Sequence, residues 1–519
     1  MSHRLAVVLA SLTLIAVPRP HAQTRTFDLL TSTVADIQAA VASGALTSER
    51  LVQLYLNRID AYDKKGPRLN AVLAINSRAL ETARALDAER KAKGLRSPLH
   101  GIPVAVKDNV DVSDMPSAAG ALALAGPPPR RDATVITRLR EAGAIIFLKT
   151  NMDELALGSF GVSSLGGQIL NPYDLSRHPG GSSGGTAVAI TAGFATVGIA
   201  TETGVSIRSP ASNSSIVGIA PSEGLVSRSG VVPNSFTQDR IGAHARTVAD
   251  AALLLNSMRG FDADDLSTSQ SLGRIRPEPR AAKLDDRALS GARLGVLRDL
   301  FRKGGEFAPG NRLIDSQIEA MAKQGAAIER ELTTGIDLLG ALPSMRLNVY
   351  ELKAGLDAYL RRRDGAVKSL AELAASGKYL KVKRIDDRFA EAAKIRMETD
   401  AEYLARLEKR RTTRQMLIDL MDKSRVDALV YPFKALGAPV IGIGDDGVRD
   451  NPLSAVTGLP AIVVPAGVSA EGLPLAIEFL GRPFSEPRLI QLAHAFEQAT
   501  RMRKAPPTTP SLPGERFAY

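Results

Sequence analysis

Cysteine and tryptophan are both absent from this 519-residue chain. Without cysteine there is no disulfide, no zinc–thiolate centre and no thiol nucleophile. Histidine is sparse as well: His100, His178, His244 and His494 stand far apart, and no H-E-x-x-H pattern occurs. No metal-ligand set is therefore legible. Aromatic residues make up 4% of the chain, too few for a surface that stacks single-stranded nucleic acid. No P-loop or dinucleotide fingerprint stands out, and no cofactor is expected.

What is present is ordinary for a globular chain: 44% apolar and 23% charged residues, with length enough for a large core. The 66 Lys+Arg outweigh 55 Asp+Glu to give +11. These charges are dispersed, and the short clusters at 361–363 and 409–411 lie in helical stretches that also carry Glu and Asp. They read as solvated helix faces, so no nucleic-acid partner is expected. The N-terminus differs. A basic start (1–4), an apolar run (5–17) and helix breakers before Ala22 match a cleavable secretory signal. That run is too short to span a bilayer comfortably, and no later one is apolar enough. An exported protein, periplasmic or secreted, is expected, with a signal at 1–22 and one domain over 23–519.

Apolar residues at helical spacing predict helices over 34–42, 48–61 (with Thr47 as N-cap), 77–93, 134–141 and 186–192. Short apolar runs predict strands at 69–75, 102–106, 144–148 and 196–200. Strands return at 428–431, 461–465 and 475–480, before a last helix at 486–499. The stretch 311–424 reads as mostly helical and short of strand patterns. The alternation predicts α/β architecture with an internal sheet, carrying a helical insertion at about 311–424.

The densest chemical signal is Pro179-Gly180-Gly181-Ser182-Ser183-Gly184-Gly185. Glycines around two serines free the backbone for conformations closed to other residues, so hydroxyls and N–H groups can be presented together at a helix start. The run leads straight into apolar patterns, unlike a flexible linker. It also fits G-x-S-x-G, with Ser183 as the nucleophile of an elbow and His244 or His494 as its base. An elbow needs a strand directly before it, and the segment 173–178 is loop-like; the motif alone leaves both readings open. His100 and His178 flank the candidate loops and read as structural.

Two further segments narrow the choice. Gly101-Ile102-Pro103-Val104-Ala105-Val106-Lys107-Asp108-Asn109, the 180–185 run and Glu202-Thr203-Gly204-Val205-Ser206-Ile207-Arg208 resemble, in order and spacing, three parts of the amidase signature family. The likeness continues over 218–255 and 451–500 and fades in 311–424. The resemblance implies a large mixed central β-sheet flanked by helices. It also implies a cofactor-free hydrolase of carboxylic amides with a Ser–cis-Ser–Lys triad. On the matching positions Ser206 is the nucleophile that forms an acyl-enzyme, Ser182 relays the proton and Lys107 is the base. The implied oxyanion hole is the backbone N–H groups of Thr203, Gly204, Val205 and Ser206, with Ser183, Glu202 and Arg208 in support.

Lys107 must then be neutral at rest. Lowering a lysine from about 10.4 to near 8 takes roughly 3 kcal/mol, which burial at the end of an apolar strand can supply. The chain departs from the family at Val205, where glycine usually precedes the nucleophile. If that position needs φ > 0, a β-branched residue is disfavoured, and a narrowed oxyanion turn is expected. The implied partner is a small-molecule amide (alkyl, aryl, peptidyl or cyclic, with esters and carbamates in range), and a homodimer is left open. Two alternatives stand beside this reading. One is a glutaminase-type amidotransferase subunit on the same scaffold, which the N-terminal signal opposes. The other is a catalytically silent binding protein, supported by Val205 alone.

Overall fold

Runs of β-branched and aliphatic residues build one sheet of eleven strands. The computed structural model describes residues 25–274, 284–443 and 450–519, so the signal expected at 1–22 lies outside the described residues. In chain order the strands are β1 (Val72–Ile75), β2 (Pro103–Lys107), β3 (Ile145–Thr150), β4 (Val197–Glu202), β5 (Val217–Ala220) and β6 (Arg240–Ala245). They continue with β7 (Arg293–Leu297), β8 (Ala327–Leu332), β9 (Ala428–Pro432), β10 (Ala461–Val468) and β11 (Pro474–Leu480). Across the sheet they run β8-β7-β9-β11-β10-β5-β6-β4-β2-β3-β1. The sheet is mixed: β2 lies parallel between β3 and β4, and β6 is antiparallel to both β4 and β5. Every residue of β2, β3 and β4 is buried, which is why these strands read as continuous apolar runs instead of alternating ones.

Helices cover the sheet. Val34–Ala42 and Ser48–Arg58 start where Thr33 and Thr47 accept backbone N–H groups of the first turn. Helix α1 (Gly184–Thr191) lies close on β4, since a Cβ on Gly198 would meet Thr186 Cγ2 at 2.5 Å. Helix α2 (Arg208–Asn213) follows the turn after β4. The stretch expected to be helical from 311 to 424 is less uniform than its composition suggests. β8 falls inside it as the sheet's edge strand; its AIEREL sequence is largely exposed and charged, so it lacks an apolar run. The helical part proper includes α3 (Asn348–Arg362), α4 (Leu370–Ala375), α5 (Lys383–Lys394) and α6 (Ala401–Lys423). Through Leu356, Leu373, Ile385 and Phe389 it shares a second apolar core with Ala118, Met152 and Leu155, on the loops that leave β2 and β3. The insertion thus packs directly on the loops that follow Lys107 and Thr150.

Candidate active site

β2 and β4 are parallel neighbours, so their C-terminal ends, at Lys107 and Glu202, open at the same edge of the sheet. The Gly-rich run reaches this edge by passing through narrow space. Gly180 has φ +77°, and a Cβ there would meet Asn213 Nδ2 and Ser209 Oγ at 2.8 Å. A Cβ on Gly181 would fall 1.8 Å from Asp153 Oδ2. Only glycine fits either position. The Gly181–Ser182 peptide is cis.

Ser182 Oγ lies 2.7 Å from Lys107 Nζ. Lys107 is fully buried, and its Nζ also meets Thr201 Oγ1 at 2.8 Å and Thr201 O at 3.1 Å. Burial pulls the amine down to about 7, against the charges of Asp153, Asp239 and Glu202, which favour the ammonium. A neutral amine has two N–H donors and one lone pair. The two Thr201 oxygens take the donors, leaving the lone pair for the Ser182 hydroxyl. Asn109 Nδ2 donates to Thr201 Oγ1 at 3.0 Å and holds that oxygen in place.

Ser183 bonds the strand behind the amine. Its Oγ donates to Thr201 O at 3.0 Å and accepts from Thr201 N at 3.3 Å, fixing the backbone that in turn fixes Lys107. The segment before Ser183 is loop. His244 bonds Ile207 O at 2.7 Å, and burial lowers it to about 4. His494 pairs with Asp286 at 2.8 Å. The elbow reading of Ser183 therefore fails for want of both strand and base. His100 and His178 bond backbone groups through both ring nitrogens.

Ser206 sits in the turn between β4 and α2, 6% exposed, and its hydroxyl bonds no described residue. The N–H groups of Thr203, Gly204, Val205 and Ser206 likewise donate to no described residue. The next two do: Ile207 N and Arg208 N reach Glu202 Oε2 at 3.0 and 3.2 Å. Unpaired N–H groups are rare in buried backbone, and four in succession beside a free hydroxyl leave donors available to an anion. Val205 does not have a left-handed backbone, and its side chain is buried in the main core. The turn thus does not require φ > 0, and the strain that motivated the expected narrowing is absent.

Glu202 and Arg208 brace this turn as a fully buried ion pair, 3.0 Å apart. Sequence reasoning missed the rest of the brace. Arg240 reaches Glu202 at 2.5 Å, Glu478 reaches Arg208 at 2.8 Å, and Tyr431 donates to Glu478 at 3.1 Å. Burial pushes Glu202 up, but Arg208, Arg240 and the two N–H groups bring it below the usual carboxylate range. Arg208 Nη2 also holds Gly204 O at 2.7 Å. Asp239, equally unforeseen, accepts from Thr203 Oγ1 at 2.5 Å and is raised by burial to about 6. The signal was there in one case: Glu478 interrupts the apolar strand run PLAIEFL, a place where an acid survives only when paired.

The sequence model of the Amidase family matches residues 50–490. This chain belongs to the amidase signature family. A probable amidase of Arabidopsis thaliana is 37% identical over 500 residues, 93% of this chain and 92% of that protein. A glutamyl-tRNA(Gln) amidotransferase subunit of Cupriavidus metallidurans is 34% identical, over 89% of this chain and 96% of that protein. Among solved structures, native peptide amidase from Stenotrophomonas maltophilia superposes with a TM-score of 0.82 at 37% identity, covering 92% of this chain and 98% of the other. The corresponding amidotransferase subunit from Thermotoga maritima superposes at 0.68 and 26% identity, covering 92% and 98%. The chain is thus an amidase, a hydrolase built on a large mixed sheet flanked by helices. Among the described residues of this amidase, no helix is long and apolar enough to cross a membrane.

Proposed function

We propose that this amidase cleaves carboxylic amide C–N bonds through a serine acyl-enzyme, with Ser206 as nucleophile, Ser182 as proton relay and Lys107 as base. The observation that carries this reading is the 2.7 Å contact between Ser182 and a fully buried Lys107 that burial lowers to about 7. As Ser206 Oγ attacks the carbonyl carbon, its proton passes to Ser182 Oγ, whose own proton moves to the lone pair of Lys107 Nζ. The carbonyl oxygen becomes an anion facing the N–H groups of Thr203, Gly204, Val205 and Ser206. Collapse breaks the C–N bond, and the proton returns through Ser182 to the leaving nitrogen. Water then adds to the acyl ester by the same route and frees the acid. The closer superposition on peptide amidase than on the amidotransferase subunit, 0.82 against 0.68, supports a free-standing hydrolase. Peptidyl amides are accordingly the first substrates to assay.

A fluorophosphonate probe tests the assignment. Labelling is expected in the wild type and in Ser183→Ala, and lost in Ser206→Ala; labelling that survives Ser206→Ala refutes it. We also propose that the enzyme is exported, on the strength of the basic, apolar and helix-breaking segments at 1–23. Protein recovered from the periplasm or medium is expected to begin near Gln23. Recovery only from the cytoplasm, with residues 1–22 still attached, overturns export.

A further inference from the structure

The loop that joins β5 to β6 reaches three segments around the candidate site. Val232 N donates to Asn109 O at 2.8 Å, just beyond Lys107, and Asn234 Nδ2 donates to Ala156 O at 2.9 Å, beyond β3. At the far end of the loop Asp239 accepts from Thr203 Oγ1, and Gln238 Nε2 donates to Thr203 O at 3.4 Å.

The Gln238 contact bears on the chemistry through peptide geometry. Thr203 O and the Gly204 N–H belong to one planar group, and that group is trans, so they point in opposite directions. A donor that holds the oxygen on one side therefore aims the N–H to the other, and this N–H is one of the four left free in the turn. Arg208 does the same for the next peptide, its Nη2 holding Gly204 O at 2.7 Å behind the Val205 N–H. The Gln238 amide is itself oriented: Leu347 N, just ahead of α3, donates to Oε1, which leaves Nε2 for Thr203. Gln238 is buried, where solvent does not replace a lost partner.

Between 232 and 239 the loop has no helix or strand, and Pro233, Phe236 and Asp239 line an open cleft of about 1140 Å³, so packing alone does not fix it. Glu351, fully buried one turn into α3, does. Its two oxygens accept from Ser235 Oγ, from Thr237 N at 2.9 Å, from Thr237 Oγ1 at 2.6 Å and from Tyr403 OH at 2.9 Å. Four donors fill the acceptor positions of a carboxylate. Ser235 Oγ, held in this way, accepts Gln238 N at 3.0 Å. A continuous chain of hydrogen bonds thus runs from the insertion through Ser235 and Gln238 to the peptide that presents the Gly204 N–H.

We propose that Gln238 and Glu351 are positioning residues for the oxyanion turn: Glu351 fixes the loop from the insertion, and Gln238 aims the Gly204 N–H at the anion that forms when Ser206 attacks. The proposal deepens the serine-hydrolase reading and rests on it.

Saturation kinetics of the fluorophosphonate probe test it, because the phosphoryl oxygen takes the place of the carbonyl oxygen and needs the same donors. Gln238→Met keeps the length of the side chain and removes the donor. The maximal labelling rate of Ser206 is expected to fall roughly tenfold or more, with the half-saturating probe concentration unchanged and the ascending pH limb still near 7. Glu351→Ala is expected to lower the rate in the same way, and Glu351→Gln, which keeps an acceptor for the loop, to recover part of it. Melting curves show which variants are folded at the assay temperature; should Gln238→Met or Glu351→Ala not fold, the other decides. A folded variant at either position that labels at the wild-type maximal rate overturns the proposal. A slower rate that comes with a moved pH limb or a raised half-saturating concentration assigns the loss to Lys107 or to binding, and overturns it too. In each case wild-type labelling that is lost in Ser206→Ala leaves the hydrolase reading standing. A wild-type enzyme that does not label overturns the hydrolase reading, and this proposal with it.

Discussion

In the proposed mechanism Lys107 sets the pH at which the site works. Because the amine must accept a proton, kcat/KM is expected to climb as pH passes through about 7, with a single ascending limb that belongs to this lysine. A pH–rate profile flat from 6 to about 8 would count against a titrating base of that kind. The same shift carries a stability cost. Between pH about 7 and 10.5 the lysine is neutral when folded and charged when unfolded. The unfolded chain therefore binds more protons there, and stability rises with pH. Lys107→Met removes that cost while destroying activity. It is expected to stabilise the fold by about 1–3 kcal/mol at neutral pH, after loss of the Thr201 hydrogen bonds, with the gain shrinking toward pH 10. Urea titrations at both pH values check this. At Val205, glycine takes away a buried side chain without relieving strain. Val205→Gly should cost about 2–3 kcal/mol in the same titration and still be labelled.

The elements around the turn after β4 act as one brace. Glu202→Gln leaves two buried arginines, Arg208 and Arg240, short of a negative charge, and is expected to lower stability by about 3–5 kcal/mol. The labelling rate of Ser206 should fall with it, since Glu202 anchors the N–H groups next to the turn; an unchanged rate would show that the brace does not position the nucleophile. At this scale the sequence was readable where local chemistry is strong. The glycines around Ser182, the strand leading to Lys107 and the capping Thr47 each announce themselves through short-range constraints. β5, with its four residues, and β6, which opens on Arg240 and contains His244, do not, because their burial comes from neighbours distant in the chain. The partners of the Glu202–Arg208 pair were hidden for the same reason: β6 and β11 bring Arg240 and Glu478 to it only once the sheet has assembled.

Across the whole molecule, the candidate site sits at the edge formed by the ends of interior strands, β2 and β4, while the insertion covers it from one side. Amides of β2, β4 and β6, buried on both faces, are expected to be among the slowest to exchange with deuterium, and those of α3, α4 and α5 distinctly faster. Uniform protection across both would argue that insertion and sheet unfold as a single unit. The insertion was recognisable in the sequence as a change of composition, but β8 inside that stretch was not, since its AIEREL sequence is largely exposed and charged and takes its place only by pairing with β7. Asp153, Glu202 and Asp239 come from three separate segments and surround Lys107 without reaching its nitrogen. Asp239→Asn would keep its oxygen for the N–H groups of Asn234 and Ser235 and offer an amide N–H to Thr203 Oγ1, yet remove one of the negative charges that favour the ammonium, so the lysine would give up its proton in more acidic solution. The acidity range of this catalyst is then adjustable by neutralising a side chain that meets no reacting atom.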